Sequence, residues 1–235
     1  YVNGAQAETG NGTSWASAYN TLQAAVDAVA AGGGGELWVA KGTYTATTDP
    51  VLTMRPGVFL FGGFSGTETA RTQRDWSINA TVIDGGDARR CVVGADHALL
   101  DGFSITGGHA SRDSSPINKG GGMYNYQVSP TVAHCTFSDN IADYGGGMYN
   151  NCSFSLVTEC VFRKNTAGDG DYSYYYCPGG GMHNVGGAPV ITGCLFEDNT
   201  GTMGGGMCNS GSAPTITACV FKNNTTQESY YYGMT

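Results

Sequence analysis

The sequence predicts an all-β fold, a right-handed parallel β-helix of about eight coils with a short helix capping its N-terminal end. Three observations carry that prediction. Glycine makes up 38 of the 235 residues, about twice the usual share. With 40% of residues hydrophobic and only 13% charged, the glycines belong to tight turns rather than to a disordered chain. The string Gly-Gly-Gly-Met occurs at Gly120–Met123, Gly145–Met148, Gly179–Met182 and Gly204–Met207, in steps of 25, 34 and 25 residues. Each copy is followed, 17 residues after its first glycine, by Phe-x-x-Asn: Phe137/Asn140, Phe162/Asn165, Phe196/Asn199 and Phe221/Asn224.

The repeat has further columns. Cys135, Cys160, Cys194 and Cys219 stand two residues before each Phe, and Val132, Val157, Ile191 and Ile216 three residues before each Cys. Asn125, Asn150, Asn184 and Asn209 follow the Met by two. A unit of 25 residues is too short for two strands and a crossover helix but fits one coil of three short strands. Coils stack in parallel about 4.8 Å apart, so columns in sequence become ladders in space. The Val/Ile, Cys, Phe and Met columns are expected to fill the bore. The Asn columns are expected at corners, where Asn tolerates a left-handed backbone and its amide reaches the next coil.

A fainter copy lies upstream, with Asp101-Gly-Phe103 in the Cys-x-Phe position and Thr106 in place of the Asn. Leu37–Val39, Val58–Phe61 and Thr81–Ile83 are short β-type runs between glycines. Asn20 to Ala31 reads as a helix, with Thr21 or Asn20 as cap, Leu22, Val26 and Val29 on one face, and Gly32–Gly35 as the stop. It is placed to cover the open edge of the first coil. The expected organisation is one continuous domain: a cap over 1–36 with its helix over about 20–31, irregular first coils over 37–119, and regular coils over 120–235.

The GGGM and Phe-x-x-Asn pairs resemble the tandem GGA[ILV] and FxxN repeats of polymorphic outer-membrane protein passengers. The stretches Asn11–Ala25, Leu37–Tyr44, Phe61–Thr69 and Gln73–Trp76 look like the N-terminal region of secreted right-handed β-helix repeat proteins. The resemblance spans nearly the whole chain and implies export, residence outside the cell or on its surface, and matching residues that are structural. The departure is Gly-Met in place of Ala-Ile/Leu/Val, which keeps an inward apolar residue. The chain carries no β-barrel translocator segment that would support autotransport.

A net charge of −8 argues against nucleic acid and anionic membranes, which need Lys/Arg patches. No apolar run approaches the roughly 18 residues of a membrane helix. No basic-plus-apolar leader opens the chain, so any signal peptide is expected to have been removed.

Because pectate lyases share this architecture, carboxylate clusters matter. Glu197-Asp198 is the best pair on a regular coil, but Arg163-Lys164 and Lys222 occupy the same columns on neighbouring coils, which reads as a solvated salt-bridge ladder. Asp84 with Asp87, and Asp169 with Asp171, are weak calcium candidates in glycine-rich loops, and no other cofactor is expected. Asp101, alone in the thiol column, reads as a corner residue. His183 and Cys208 share a surface column and give two of the four ligands that zinc needs. The four column cysteines point the same way about 4.8 Å apart, too far for a disulfide, so any disulfide is expected among Cys91, Cys152, Cys177 and Cys208. Tyr172, Tyr174, Tyr175 and Tyr176, in the nine-residue excess of the long repeat, and Tyr230, Tyr231 and Tyr232 further on are the ligand or interface candidates, since Tyr is a low-entropy contact residue.

The function expected from these features is a non-catalytic extracellular or cell-surface structural or adhesion module that self-assembles end to end into a filament or surface layer. Its partners would be further copies, neighbouring surface proteins or a glycan. The alternative is a carbohydrate-active enzyme or glycan-binding β-helix of pectate-lyase-like fold.

Overall fold

The computed structural model describes residues 1–110, 118–168 and 178–226. Three parallel sheets run the length of a β-helix. The first has seven strands: Gly35–Ala40, Val58–Phe64, Leu99–Asp101, Thr131–Ala133, Leu156–Thr158, Val190–Thr192 and Thr215–Thr217. The second runs from Gly42–Tyr44 through Thr81–Arg89, Ser104–Ala110, Thr136–Ser138, Val161–Arg163 and Leu195–Glu197 to Val220–Lys222. It continues around a corner as Ile141–Ala142, Thr166–Ala167, Thr200–Gly201 and Thr225–Thr226. The third has six strands: Leu52–Thr53, Val92–Val93, Met123–Tyr126, Met148–Asn151, Met182–Val185 and Met207–Ser210. Val2 adds a parallel bridge to Val39 beyond the first strand, so the seven rungs and this bridge together make about eight layers.

The sequence columns are the register. Val132, Val157, Ile191 and Ile216 pair in succession, as do Phe137, Phe162, Phe196 and Phe221 and Met123, Met148, Met182 and Met207. The Phe rings stack nearly parallel, with centroids 4.8, 4.8 and 4.7 Å apart. Phe137, Phe162 and Phe196 are fully buried with the Val/Ile, Met and Cys columns around them. The third glycine of each GGGM is there because the rungs approach so closely. A Cβ on Gly147 would lie 2.5 Å from the Gly181 carbonyl oxygen and 3.0 Å from the Phe162 ring.

Two details of register differ from expectation. Asp101 pairs with Ala133, and Ile105 with Phe137, so Phe103 fills the Cys column and Ile105 the Phe column. The slip is two residues, and strand alternation has a period of two, so the pattern of inside and outside is the same in either alignment. The Asn residues are also not the left-handed ones. The left-handed corner residues are the neighbours Asp139, Lys164, Asp198 and Asn223, together with His134, Glu159 and Ala218 at a second corner and Gln127 and Cys152 at a third. Asn140, Asn165 and Asn199 turn inward and are buried, and the Asn125 column lies within the third-sheet strands rather than at a corner.

Both Asn columns are continuous amide ladders. Asn140 Nδ2 donates to Asn165 Oδ1, Asn165 to Asn199 and Asn199 to Asn224, each at 2.9 Å. Asn125 donates to Asn150, Asn150 to Asn184 and Asn184 to Asn209, each at 2.8 Å. In the corner ladder the second amide hydrogen reaches a backbone carbonyl of the preceding rung, as from Asn165 to Phe137 at 3.0 Å. A buried amide left unpaired would cost about 1–3 kcal/mol. Here each rung satisfies the next.

The helix spans Leu22–Ala31. Thr21 is its N-cap, with extended dihedrals and no side-chain capping bond. Leu22, Ala25 and Val26 are buried in the same core cluster as Leu37, Leu52 and Leu60, and Val29 packs against it partly buried. The helix therefore closes the N-terminal end of the bore.

If the Phe column is core, Phe162→Ala will lower stability by about 3–5 kcal/mol, as for a large buried aromatic. Denaturant unfolding monitored by circular dichroism checks this, and an unchanged midpoint would show that the ring does not lie in the bore.

Candidate functional site

Alternation along the third-sheet strands turns Met and Asn inward and sends the residue between them outward. That outward column is Tyr124, Tyr149, His183 and Cys208 in register. Tyr124 and Tyr149 stack with centroids 5.7 Å apart, and Tyr124 also stacks on Tyr126 at 6.3 Å. Tyr149 meets His183 edge-on at 5.4 Å, and Tyr144 lies 5.7 Å from the same imidazole. Two cations border the rings. The Arg90 guanidinium is 5.0 Å from the Tyr124 centroid, and Lys119 Nζ is 5.3 Å from that of Tyr149. Arg90 is held by the carbonyls of Lys119 and Gly120.

The expectation of an open surface column is corrected here, because Tyr149, His183 and Cys208 are buried. His183 is 1% exposed, and neither ring nitrogen has a hydrogen-bond partner. Burial, helped by the charge of Lys119, pushes its pKa down to about 4, so the ring is neutral at pH 7. The zinc pairing fails on chemistry, since Cys208 is disulfide-bonded and offers no thiolate. Its bonding partner lies outside the described residues. Of the other expected disulfide candidates, Cys91 and Cys152 are free thiols, and burial pushes Cys91 up to about 12.

A second constellation sits where the first sheet turns into the second. Arg74 Nη2 donates to Asp101 Oδ2 at 2.7 Å, His134 Nδ1 lies 2.9 Å from Asp101 Oδ1, and His134 Nε2 lies 3.2 Å from Glu159 Oε2. Trp76 packs on the His134 ring at 4.6 Å, and Arg74 lies over Trp76 at 4.6 Å. Arg74 also donates to the carbonyls of Gly62 and Asp101. The network fastens the excursion between Phe64 and Thr81 onto three successive rungs. Sequence reasoning missed it because the two-residue slip concealed that Asp101 faces Ala133 with His134 beside it. A second small core lies near the start of the chain, where Trp38 stacks on Phe64 at 4.9 Å and Tyr1 meets Trp15 and Trp38 edge-on at 4.7 and 5.4 Å.

The remaining candidates separate. Asp84 Oδ1 accepts from the Gly86 amide at 2.8 Å, and the Asp87 carbonyl faces His109 Nδ1 at 3.0 Å. Asp84 thus serves its own turn, and among the described residues no group of three or more His, Cys, Asp or Glu is arranged to hold a metal ion. Glu197 pairs with Lys222 at 2.5 Å and faces Arg163 in the register. Lys222 holds the Glu197 carboxyl below its ordinary range, as a charge ladder requires. Tyr172, Tyr174, Tyr175, Tyr176, Tyr230, Tyr231, Tyr232, Asp169, Asp171 and Cys177 lie outside the described residues. No described helix is long and apolar enough to cross a membrane.

With this geometry in hand, no family model, curated protein or solved structure matches the chain.

The buried His183 gives a pH prediction whose sign follows from linkage. Its folded-state pKa of about 4 lies below the ordinary value of about 6.5, so the unfolded chain takes up the proton first as pH falls. Stability is therefore lost on going from pH 6.5 towards 4. His183→Phe is expected to be neutral or stabilising at pH 7, since it removes two unpaired buried nitrogens. It should also remove up to about 3 kcal/mol of that acid-side loss. Urea unfolding of both proteins across this window tests it, and parallel pH profiles would contradict the assignment.

Proposed function

We propose that this chain is a non-catalytic structural module of the extracellular space or cell surface, and that it extends by adding further rungs end to end. The observation that carries the reading is the single register in which each regular rung stacks identical or near-identical side chains on the next. At the N-terminal end, the helix and Val2 cover the first rung. On the last described rung, Ile216 and Phe221 continue the Val/Ile and Phe columns and offer a further rung the same register. An uncovered strand edge flanked by apolar bore residues is a template for another rung. A second copy docking there makes a head-to-tail contact, which propagates unless rotation closes a ring.

Three further features support a scaffold. Six ladders of identical or near-identical side chains, those of Val/Ile, Cys, Phe, Met and two of Asn, run through successive rungs, a pattern that specifies stacking. Outward charges pair along the stack, as Glu197 with Lys222 does. The repeats resemble surface-protein passenger repeats, which supports residence outside the cell. The carbohydrate-active alternative needs carboxylates free beside an Arg or Lys base; Asp84 instead accepts from the Gly86 amide of its own turn, and Asp101 is paired with both Arg74 and His134.

Light scattering and electron microscopy of the 235-residue chain test the reading. Rods that lengthen with concentration are expected. Replacing Val220 and Phe221 by Asp should leave short particles of one chain. A monodisperse monomer at high concentration would overturn the assembly reading.

A further inference from the structure

The inward cysteine column has a geometry that filling space does not require. Cys135, Cys160, Cys194 and Cys219 are all free thiols, and each sulfur makes the same contact to the rung before its own. Cys135 Sγ donates to the Leu100 carbonyl at 3.5 Å, Cys160 to Val132 at 3.6 Å, Cys194 to Val157 at 3.7 Å and Cys219 to Ile191 at 3.6 Å. Leu100, Val132, Val157 and Ile191 are themselves register partners. The four sulfurs are therefore one position repeated by the rung step, which the adjoining Phe rings measure as 4.8, 4.8 and 4.7 Å.

We propose that this column is a line of two-coordinate sites for a soft d10 cation, Cu(I) by chemical class, held between the sulfurs of adjacent rungs. Half of the 4.8 Å step is close to a metal–thiolate bond of about 2.3 Å, so an ion midway meets both sulfurs along the helix axis. Two sulfurs in line suit an ion that accepts linear coordination and prefers sulfur. Zinc, which takes four ligands, is refused: around the column stand Val132, Val157, Ile191 and the Phe ladder, all apolar and buried. The same step that fits the metal forbids a disulfide, whose Cβ separation is about 3.5–4.5 Å. The thiols thus stay reduced and available.

Charge balance favours one proton exchanged per ion. Cu(I) replaces the proton of one thiol and takes a lone pair from its protonated neighbour, giving a neutral S–Cu–S(H) unit and one released H⁺, with no change of oxidation state. A neutral unit suits the apolar bore.

The test exploits adjacency. In a Cys152→Ser background, which removes the exposed free thiol, two double variants each lose two column cysteines. Cys135→Ala with Cys219→Ala keeps the neighbouring pair Cys160 and Cys194. Cys160→Ala with Cys194→Ala leaves two thiols three rungs apart. The column accepts residues other than Cys, since Phe103 occupies it one rung before Cys135. Cu(I) is supplied anaerobically as its acetonitrile complex, without thiol reductants, and competed against a chromophoric chelator. The adjacent-pair variant is expected to bind one ion. The separated-pair variant should bind at least roughly tenfold more weakly, with both unfolding at similar temperatures. Equal affinity in the two, or no binding by the adjacent pair, would overturn the proposal. If the separated-pair variant fails to fold, the copper K-edge spectrum of the Cys152→Ser protein decides: two sulfur neighbours support the site, and three or more overturn it.

Discussion

The regular rungs of this molecule depend on the backbone hydrogen bonding of one rung to the next in a single, unshifted register. Those bonds fix both the distance and the direction of the step, and any side chain that repeats in sequence is thereby carried onto its own copy. The step is short enough to stack Phe rings face to face at 4.8 Å and to join amides at 2.8–2.9 Å. It is also too short for a Cβ at Gly122, Gly147 or Gly181, where the next rung's carbonyl lies 2.4–2.5 Å from the place a Cβ would take. The GGGM and Phe-x-x-Asn motifs are two consequences of the same closeness.

Polar ladders bring a condition that apolar ones do not, since each must end somewhere. The corner ladder starts at Asn140, whose Oδ1 accepts from the Gly108 amide at 2.9 Å. The third-sheet ladder starts at Asn125 beneath Gly94, and Asn125 Oδ1 has no hydrogen-bond partner. A Cβ on Gly94 would lie 1.9 Å from that oxygen, so the glycine leaves room for a carbonyl that the previous rung does not satisfy. Such a group costs about 1–3 kcal/mol, which the ladder below it offsets. The irregular early rungs and the regular later ones meet at this point.

Much of the fold was legible because stacking converts contacts in space into columns in sequence, and the Phe, Met, Val/Ile, Cys and Asn columns all fall in the observed register. The left-handed corners were not legible, since His134, Glu159, Gly193 and Ala218 share a backbone conformation but no side-chain type. The upstream rung was misplaced by two residues because hydrophobic alternation has a period of two. Less of the candidate site could be read. Tyr124, Tyr149, His183 and Cys208 were visible as a column, but their burial comes from what packs over the outer face, and periodicity along a strand carries no information about that. The Arg74–Asp101–His134–Glu159 network joins residues from three rungs through an irregular excursion, for which the repeat offers no template.

If register is the governing constraint, one whole rung is removable. Excising residues 123–147 joins Gly122 to Met148, the register partner of Met123 one repeat of 25 residues on, and brings every remaining column into line. The shortened chain is expected to fold with β-rich circular dichroism and a single cooperative unfolding transition at reduced stability. A chain that stays unfolded, or melts without cooperativity, would contradict the claim that the rungs are interchangeable layers related by one step.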